Sequence, residues 1–226
     1  MRIIYYSLAL LTLDLVNSAT AGITISTSSI VAKHSGKCLI VQNASIVNWG
    51  IVIQNNCNGT NNEQWTLKPY GDAYQIIVKH SGQCLNVIGA LATDGAQIVQ
   101  YPCQGANNEL WYARPKGDYF QLVAKHSGKC LNVNAATKND GGKIIQSTCV
   151  AADNQLWNIA GQAHTPLQVR HSNQCLEVYG GSLADGASIT QFPCHGTTNE
   201  QWTLMPYQNA YRLIVKSTGK CLIVAG

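Results

Sequence analysis

The chain has 226 residues, 46% of them hydrophobic and only 12% charged, with 20 Gly, 9 Cys and 5 Trp. That balance excludes a disordered chain and a helical bundle and suits a loop-rich β protein. The formal charge is +4, and Lys33, Lys79, Lys125, Arg170 and Lys216 recur at one turn position instead of forming a stripe, which points to solvated turns and away from nucleic-acid binding.

Taken from the start, the chain opens with Met1-Arg2, an apolar run from Ile3 to Leu13 and small residues at Ala19-Thr20-Ala21. This is the layout of a secretory signal peptide over residues 1–21, cleaved before Gly22. The apolar run is too short for a helix rising 1.5 Å per residue to cross a hydrocarbon core of about 30 Å. No later stretch is long enough, so no membrane span is expected. A secreted chain would retain disulfides.

The cysteines set a register. Cys38/Cys57, Cys84/Cys103, Cys130/Cys149 and Cys175/Cys194 are each nineteen positions apart, and the first members follow one another at 46, 46 and 45 positions. Sequence alone leaves the connectivity of eight cysteines open, but identical spacing in four copies favours one bridge within each unit. Each bridge closes a loop of roughly 20 residues and contributes ~3 kcal/mol if unstrained. A zinc site is the competing reading, and the lack of any close Cys-Cys pair disfavours it. Cys221 lies another 46 positions on, and its counterpart would fall beyond Gly226, so the chain is expected to stop inside a fifth unit.

The stretch Lys79–Trp111 shows one unit in full. Short β-rich runs at Ile76–Val78, Leu85–Val87, Ile98–Gln100 and Trp111–Ala113 are divided by His-Ser-Gly, by Thr-Asp-Gly and by the loop Gln104–Asn108. The third run reads as an apolar strand carrying Tyr101 and the second cysteine, Cys103. Each unit is thus four short strands, and no run has a helical period. A unit this small cannot bury its own apolar face, so copies must share a core. Trp65, Trp111, Trp157 and Trp202 are assigned to that core, with the Leu after each first Cys.

Several features recur together: the Cys-Leu-x-Val strand, Gln54, Gln100, Gln146 and Gln191 three before the second Cys, and Asn62, Asn108, Asn154 and Asn199 three before the Trp. With this register the chain resembles the ricin-type β-trefoil lectins and related carbohydrate-binding modules, over nearly all of Ile23 to Gly226. The resemblance implies an all-β fold, a pseudo-threefold barrel of twelve strands per three units. Residues 22–162 would then form one complete trefoil and residues 163–226 part of a second. The joints Lys68–Tyr74, Arg114–Phe120 and Met205–Tyr211 carry Pro and aromatic residues, whereas the joint after unit three, Asn158–Pro166, lacks that aromatic punctuation. An incomplete second trefoil leaves open sheet edges, which invite association with another chain.

In the resembling lectins, an acidic residue two after the first Cys, an aromatic two before the second and the Asn three before the Trp hold the sugar. Carried over by position, unit two supplies Asn86, Tyr101 and Asn108, and unit four Glu177, Phe192 and Asn199. Unit three has Asn132 and Asn154 but Ser147 in the aromatic position, so it can hydrogen-bond a sugar without stacking on it. Unit one has Ile40, Asn55 and Asn62, and the apolar Ile40 should abolish its site. The family's Asp is nowhere retained; Asn keeps one acceptor but loses the charge-assisted bond. The closing Gln of the family motif is Glu63, Glu109, Gln155 and Glu200, read as structural.

The remaining repeated residues have plain readings. His34, His80, His126 and His171 sit in one turn with no local nucleophile and orienting acid, so no catalytic triad is expected. Asp94, Asp140 and Asp185 precede Gly and suit turns. Unit one has Asn48-Trp49 instead, and Trp49 is a minor candidate for an extra ligand contact. Asn43-Ala44-Ser45 and Asn58-Gly59-Thr60 are glycosylation sequons. The expected function is that of a secreted glycan-binding lectin with no enzymatic activity, cofactor or metal. The alternatives are the binding portion of a larger glycoside hydrolase and a protein-binding trefoil.

Overall fold

A computed structural model of the chain describes residues 27–150, 152–159, 164–207 and 210–223; the anticipated signal peptide lies outside these. The first three units contribute twelve strands: β1 (Ser28–Ala32), β2 (Cys38–Val41), β3 (Val52–Asn55), β4 (Gln64–Tyr70), β5 (Ala73–Val78), β6 (Cys84–Val87), β7 (Ile98–Tyr101), β8 (Leu110–Lys116), β9 (Tyr119–Ala124), β10 (Cys130–Val133), β11 (Gly142–Ser147) and β12 (Trp157–Ile159). They form one sheet.

Six of the strands close into a barrel, and the tryptophans mark its joints. β1 pairs β4 at Ser28↔Trp65, β5 pairs β8 at Tyr74↔Trp111, and β9 pairs β12 at Phe120↔Trp157. The hairpins β4–β5 and β8–β9 fill in two sides, and β12 returns to β1 at Ile30↔Ile159. The joints expected only as punctuation are therefore hairpin tips. β4 runs through Pro69, which faces Tyr74, and turns at Gly71-Asp72, where Gly71 has φ 61°. A two-residue hairpin turn favours this left-handed conformation.

The hairpins β2–β3, β6–β7 and β10–β11 carry the disulfide-bonded segments and join one another in a ring. β3 pairs β11 at Gln54↔Gly142, and bridges at Ile51↔Val99 and Gln97↔Ile145 complete the circuit. Trp65, Trp111 and Trp157 are fully buried in one apolar cluster with Leu39, Leu85 and Leu131. Each indole donates its Nε1 proton to the Leu carbonyl of its own unit, at 2.8, 2.9 and 3.1 Å. The burial satisfies their one polar group.

The expected pairing of the cysteines is present in all four units, as Cys38–Cys57, Cys84–Cys103, Cys130–Cys149 and Cys175–Cys194, while Cys221 is free and exposed. The placement of the second cysteines differs from the sequence reading. Cys57, Cys103, Cys149 and Cys194 are not strand residues: β3, β7 and β11 end two residues earlier, at Asn55, Tyr101 and Ser147, as does the unit-four strand at Phe192. The backbone explains the early stop. Pro102 and Pro193 have no N–H for the ladder, and the N–H groups of Asn56 and Thr148 are donated to the Asp140 and Asp94 carboxylates of neighbouring units. The two halves of each bridge therefore sit in different surroundings. Cys38, Cys84, Cys130 and Cys175 are fully buried, whereas Cys57, Cys103 and Cys194 are exposed and Cys149 is half-buried. Each disulfide ties a surface loop to the buried start of its hairpin.

The units are also latched to one another. Gln54, Gln100 and Gln146 are fully buried. Gln100 accepts a hydrogen bond from Ser81 and donates to the carbonyls of Ser45 and Val47 in unit one. Gln146 does the same from Ser127 to Leu91 and Thr93 of unit two, and Gln54 from Ser35 to Thr137 and Asn139 of unit three. The latch is cyclic, each unit gripping the loop of the one before. His34, His80 and His126 add Nε2 contacts to the carbonyls of Thr137, Ser45 and Leu91, in keeping with a turn role.

Beyond residue 163 the chain begins the pattern again. β13 (Thr165–Pro166) and β17 (Ala210–Val215) flank β16 (Gln201–Tyr207), while β14 (Cys175–Val178) pairs β15 (Ile189–Phe192). Among the described residues these strands do not join the twelve-stranded sheet. A small cluster of Val178, Trp202 and Val215 forms their core. The segment rests on the β8–β9 turn, where His164 Nε2 meets Gly117 O at 2.9 Å and Lys216 pairs with Asp118.

Candidate functional site

In unit two the site is built on the hairpin β6–β7. Its register sets Cys84 opposite Tyr101 and Asn86 opposite Val99. Directly opposed residues share a face and side chains alternate along a strand, so Asn86 and Tyr101 are diagonal neighbours on one face. The Cys84–Cys103 bridge draws the chain after Tyr101 back to the hairpin. Glu109 then shapes the loop: its buried carboxylate accepts the backbone N–H groups of Gln104 and Gly105 and the side-chain amide of Gln75. Glu63, Gln155 and Glu200 occupy the same place in their units and accept the equivalent N–H groups, so these four residues are loop anchors. In units one, three and four the anchored loop is the one that Cys57, Cys149 and Cys194 tie down.

The anchored loop presents Asn108. Its Nδ2 donates to Asn86 Oδ1 and to Val87 O, both at 3.0 Å. With both amide protons spent, Asn108 can offer a ligand only its oxygen, whereas Asn86 still has an NH₂ to donate. Asn86 is buried at 3% exposure and Tyr101 is half-buried beside it. A planar donor–acceptor pair next to an aromatic ring is suited to a pair of hydroxyls on a ring with one apolar C–H face.

The other units show the same frame with parts exchanged. Asn154 donates to Asn132 Oδ1 at 2.7 Å, while the neighbouring Ser147 hydroxyl accepts from Gln155. Asn199 donates to Glu177 Oε2 at 3.3 Å, and Phe192 stands 50% exposed with His195 tilted against it at 5.6 Å. In unit one, Asn62 donates to Val41 O, and the buried Ile40 has no acceptor to offer it. The sequence-derived residues are thus brought together in units two, three and four, and unit one lacks the pair.

Several charges around the barrel are ion-paired. Lys125 holds Asp72 at 2.6 Å, and its hydrogen bond keeps the Asp72 carboxyl below its ordinary value while the lysine is raised in turn. Burial, followed by the contact to Asp72, pushes the Tyr112 hydroxyl up. The turn aspartates work between units: Asp94 pairs with Lys129, Asp140 with Lys37 and Asp185 with Lys220. The lysine hydrogen bonds hold Asp94, Asp118 and Asp185 below the usual carboxylate range. Lys33, Lys125 and Lys216, anticipated as solvated turn residues, are therefore ion-paired to Asp153, Asp72 and Asp118.

Trp49, the minor candidate for an extra ligand contact, is placed beside the unit-two hairpin. Trp49 lies against the ring of Tyr101, with centroids 4.1 Å apart and planes tilted by 34°. It occupies the register position of Gly95, Gly141 and Gly186 and shares their left-handed conformation, at φ 69°. A tryptophan standing where every sister unit has Gly was the available signal.

The twelve strands in three repeated units define a β-trefoil. The profile of the ricin-type β-trefoil lectin domain matches residues 26–157 and again 118–226, and the chain belongs to that family. No curated protein sequence matches it. Among solved structures it is similar to ThreeFoil, a designed threefold-symmetric protein, at 41% identity over 58% of this chain and 96% of that one, with a TM-score of 0.57. It is also similar to 1,3Gal43A, an exo-β-1,3-galactanase from Clostridium thermocellum, at 30% identity and a TM-score of 0.56, over 59% of this chain but only 29% of the galactanase. The Rhizoctonia solani agglutinin, at 16% identity over 62% of this chain and 97% of its own, shares the fold with a TM-score of 0.55. Among the described residues no helix is long and apolar enough to cross a membrane.

Proposed function

We propose that the chain is a secreted lectin that binds glycans through shallow sites on its trefoil units, with unit two as the principal one. The observation that carries this reading is the Asn108–Asn86 amide pair beside the ring of Tyr101. Asn132 with Asn154, and Glu177 with Asn199 and Phe192, are secondary sites. Weak sites on one molecule gain strength on a polyvalent glycan. Four disulfides suit an oxidising, extracellular compartment, reached by way of a signal peptide at residues 1–21. Residues 22–162 make up one lectin domain and residues 163–226 part of a second, through which the chain can associate with another.

The test is a glycan array that includes terminal galactose, N-acetylgalactosamine, lactose and β-1,3-galactan. Tyr101→Ala and Asn108→Ala should each weaken binding by about five- to thirtyfold, from lost stacking or a lost hydrogen-bonding pair worth ~1–2 kcal/mol. Ile40→Ala should leave binding as it is. A wild-type chain silent across the array would remove the proposal. The second reading, a binding portion attached to a glycoside hydrolase, is favoured by the match to a 29% share of the galactanase. In that case glycan binding persists and catalysis resides outside these residues.

A further inference from the structure

We infer that Trp49, stacked on Tyr101 across the boundary of units one and two, holds on its outer face a second sugar ring of a glycan whose first ring sits on Asn86 and Asn108. This rests on the carbohydrate reading of unit two and extends it from a single sugar to a chain of at least two rings.

The fold does not need an indole at this position. Three sister units complete the same turn with Gly95, Gly141 and Gly186. Trp49 takes the left-handed backbone of those glycines at φ 69°, an uncommon state for a bulky residue, and such outliers gather at functional sites. Nor does the ring fill the core, since Trp49 is 47% exposed. Its neighbours Ile46, Val47 and Ile51 are exposed as well, where unit three carries Lys138, Asn139 and Lys143. Unit one has lost its own acceptor to Ile40 and has gained an exposed indole where its sisters have glycine.

This surface is fixed in place before any ligand arrives. Trp49 N donates to Gln100 O at 3.0 Å, and Gln100 N donates to Gly50 O at 2.8 Å. The buried Gln100 amide holds the carbonyls of Ser45 and Val47 from beneath. Gly50 packs closely on that side chain, where a Cβ would stand 2.8 Å from Gln100 Nε2. Gln100 directly precedes Tyr101, so the loop that carries Trp49 is tied to the neighbour of the ring it stacks on. A pre-ordered ring loses little freedom on binding. The indole is stacked on Tyr101 at 4.1 Å, and its exposed outer side offers a flat apolar face for the C–H side of a pyranose.

Calorimetric titration of the full chain with galactose, lactose, β-1,3-galactobiose and β-1,3-galactotriose tests this. Trp49→Gly installs the sister residue and relieves the backbone, so the variant should stay folded, which a urea unfolding curve would check. It is expected to lose about three- to tenfold more affinity for the two- and three-ring probes than for galactose. Trp49→Phe, which keeps an aromatic face, should recover most of that difference. An equal loss for all probes would mean that Trp49 only steadies Tyr101, and no loss would mean that it touches no sugar; either result overturns the inference. Asn108→Ala separates the two readings, since it should weaken every probe. If the wild type binds none of the four sugars, the carbohydrate reading of unit two falls together with this one.

Discussion

Trp111 has no exposed surface, and its single donor is taken by Leu85 O at 2.9 Å. Trp111→Phe keeps most of the apolar volume but strands a buried carbonyl, which costs ~1–3 kcal/mol, and the smaller ring leaves a gap. A fall of that size in unfolding free energy, read by guanidinium denaturation, is the expected outcome; an unchanged midpoint would show that the indole nitrogen contributes nothing. The roles of Trp65, Trp111, Trp157 and Trp202 were legible in the sequence because four copies at one register demand a shared structural cause. The contact of Trp49 was not. It joins residues of two different units, and which loop lies against which ring depends on how the hairpins close.

At the scale of the strand pair, the glutamine latch makes an internally controlled comparison. Gln100 is fully buried and bonded to Ser81 and to two carbonyls of unit one. Gln191 is its counterpart in unit four, exposed and bonded to Ser172. Gln100→Ala should therefore cost ~2–4 kcal/mol, because several buried partners lose their bonds together, while Gln191→Ala should stay within about 0.5 kcal/mol. Thermal unfolding of the two variants would settle the difference, and equal shifts would refute the latch. The sequence displayed these glutamines as a regular register without revealing their task. Their partners are main-chain carbonyls, which carry no residue type, and they belong to the preceding unit. The Cys pairs and the Asn pairs of the sites were easier to read because both partners are side chains within one repeat. Even so, the pairing of Cys57, Cys103, Cys149 and Cys194 was legible while their position past the strand ends was not, since in two units that end depends on an aspartate from a neighbouring repeat. The hairpins at Pro69 and Pro115 were missed for a related reason: proline marks a break in a strand, and only the register shows β4 and β8 running on through it.

For the whole molecule, the question is what the segment after residue 163 does for the barrel. β12 already returns to β1 through Ile30↔Ile159, Val31↔Asn158 and Ala32↔Trp157, so the ring of barrel strands closes without it. The later strands meet the barrel at the β8–β9 turn through His164 and Lys216, and Ile214 adds one side chain to the main apolar cluster. Exposed ion pairs of this kind contribute about 1 kcal/mol or less. By contrast, their own core adjoins an open cleft of about 190 Å³ lined by Val178, Trp202, Val215 and Leu222 together with Asp185, Thr218 and Lys220. A chain shortened to residues 22–162 should therefore fold, keep the glycan affinity of unit two and lose no more than ~1–2 kcal/mol, as judged by its denaturation midpoint. The free thiol of Cys221 would disappear with the deleted segment, which gives a direct check on the product. Failure of the shortened chain to fold cooperatively would mean that the second, open unit is an integral part of the first domain. Cooperative folding with binding retained would instead make it a separate unit that the first domain does not need.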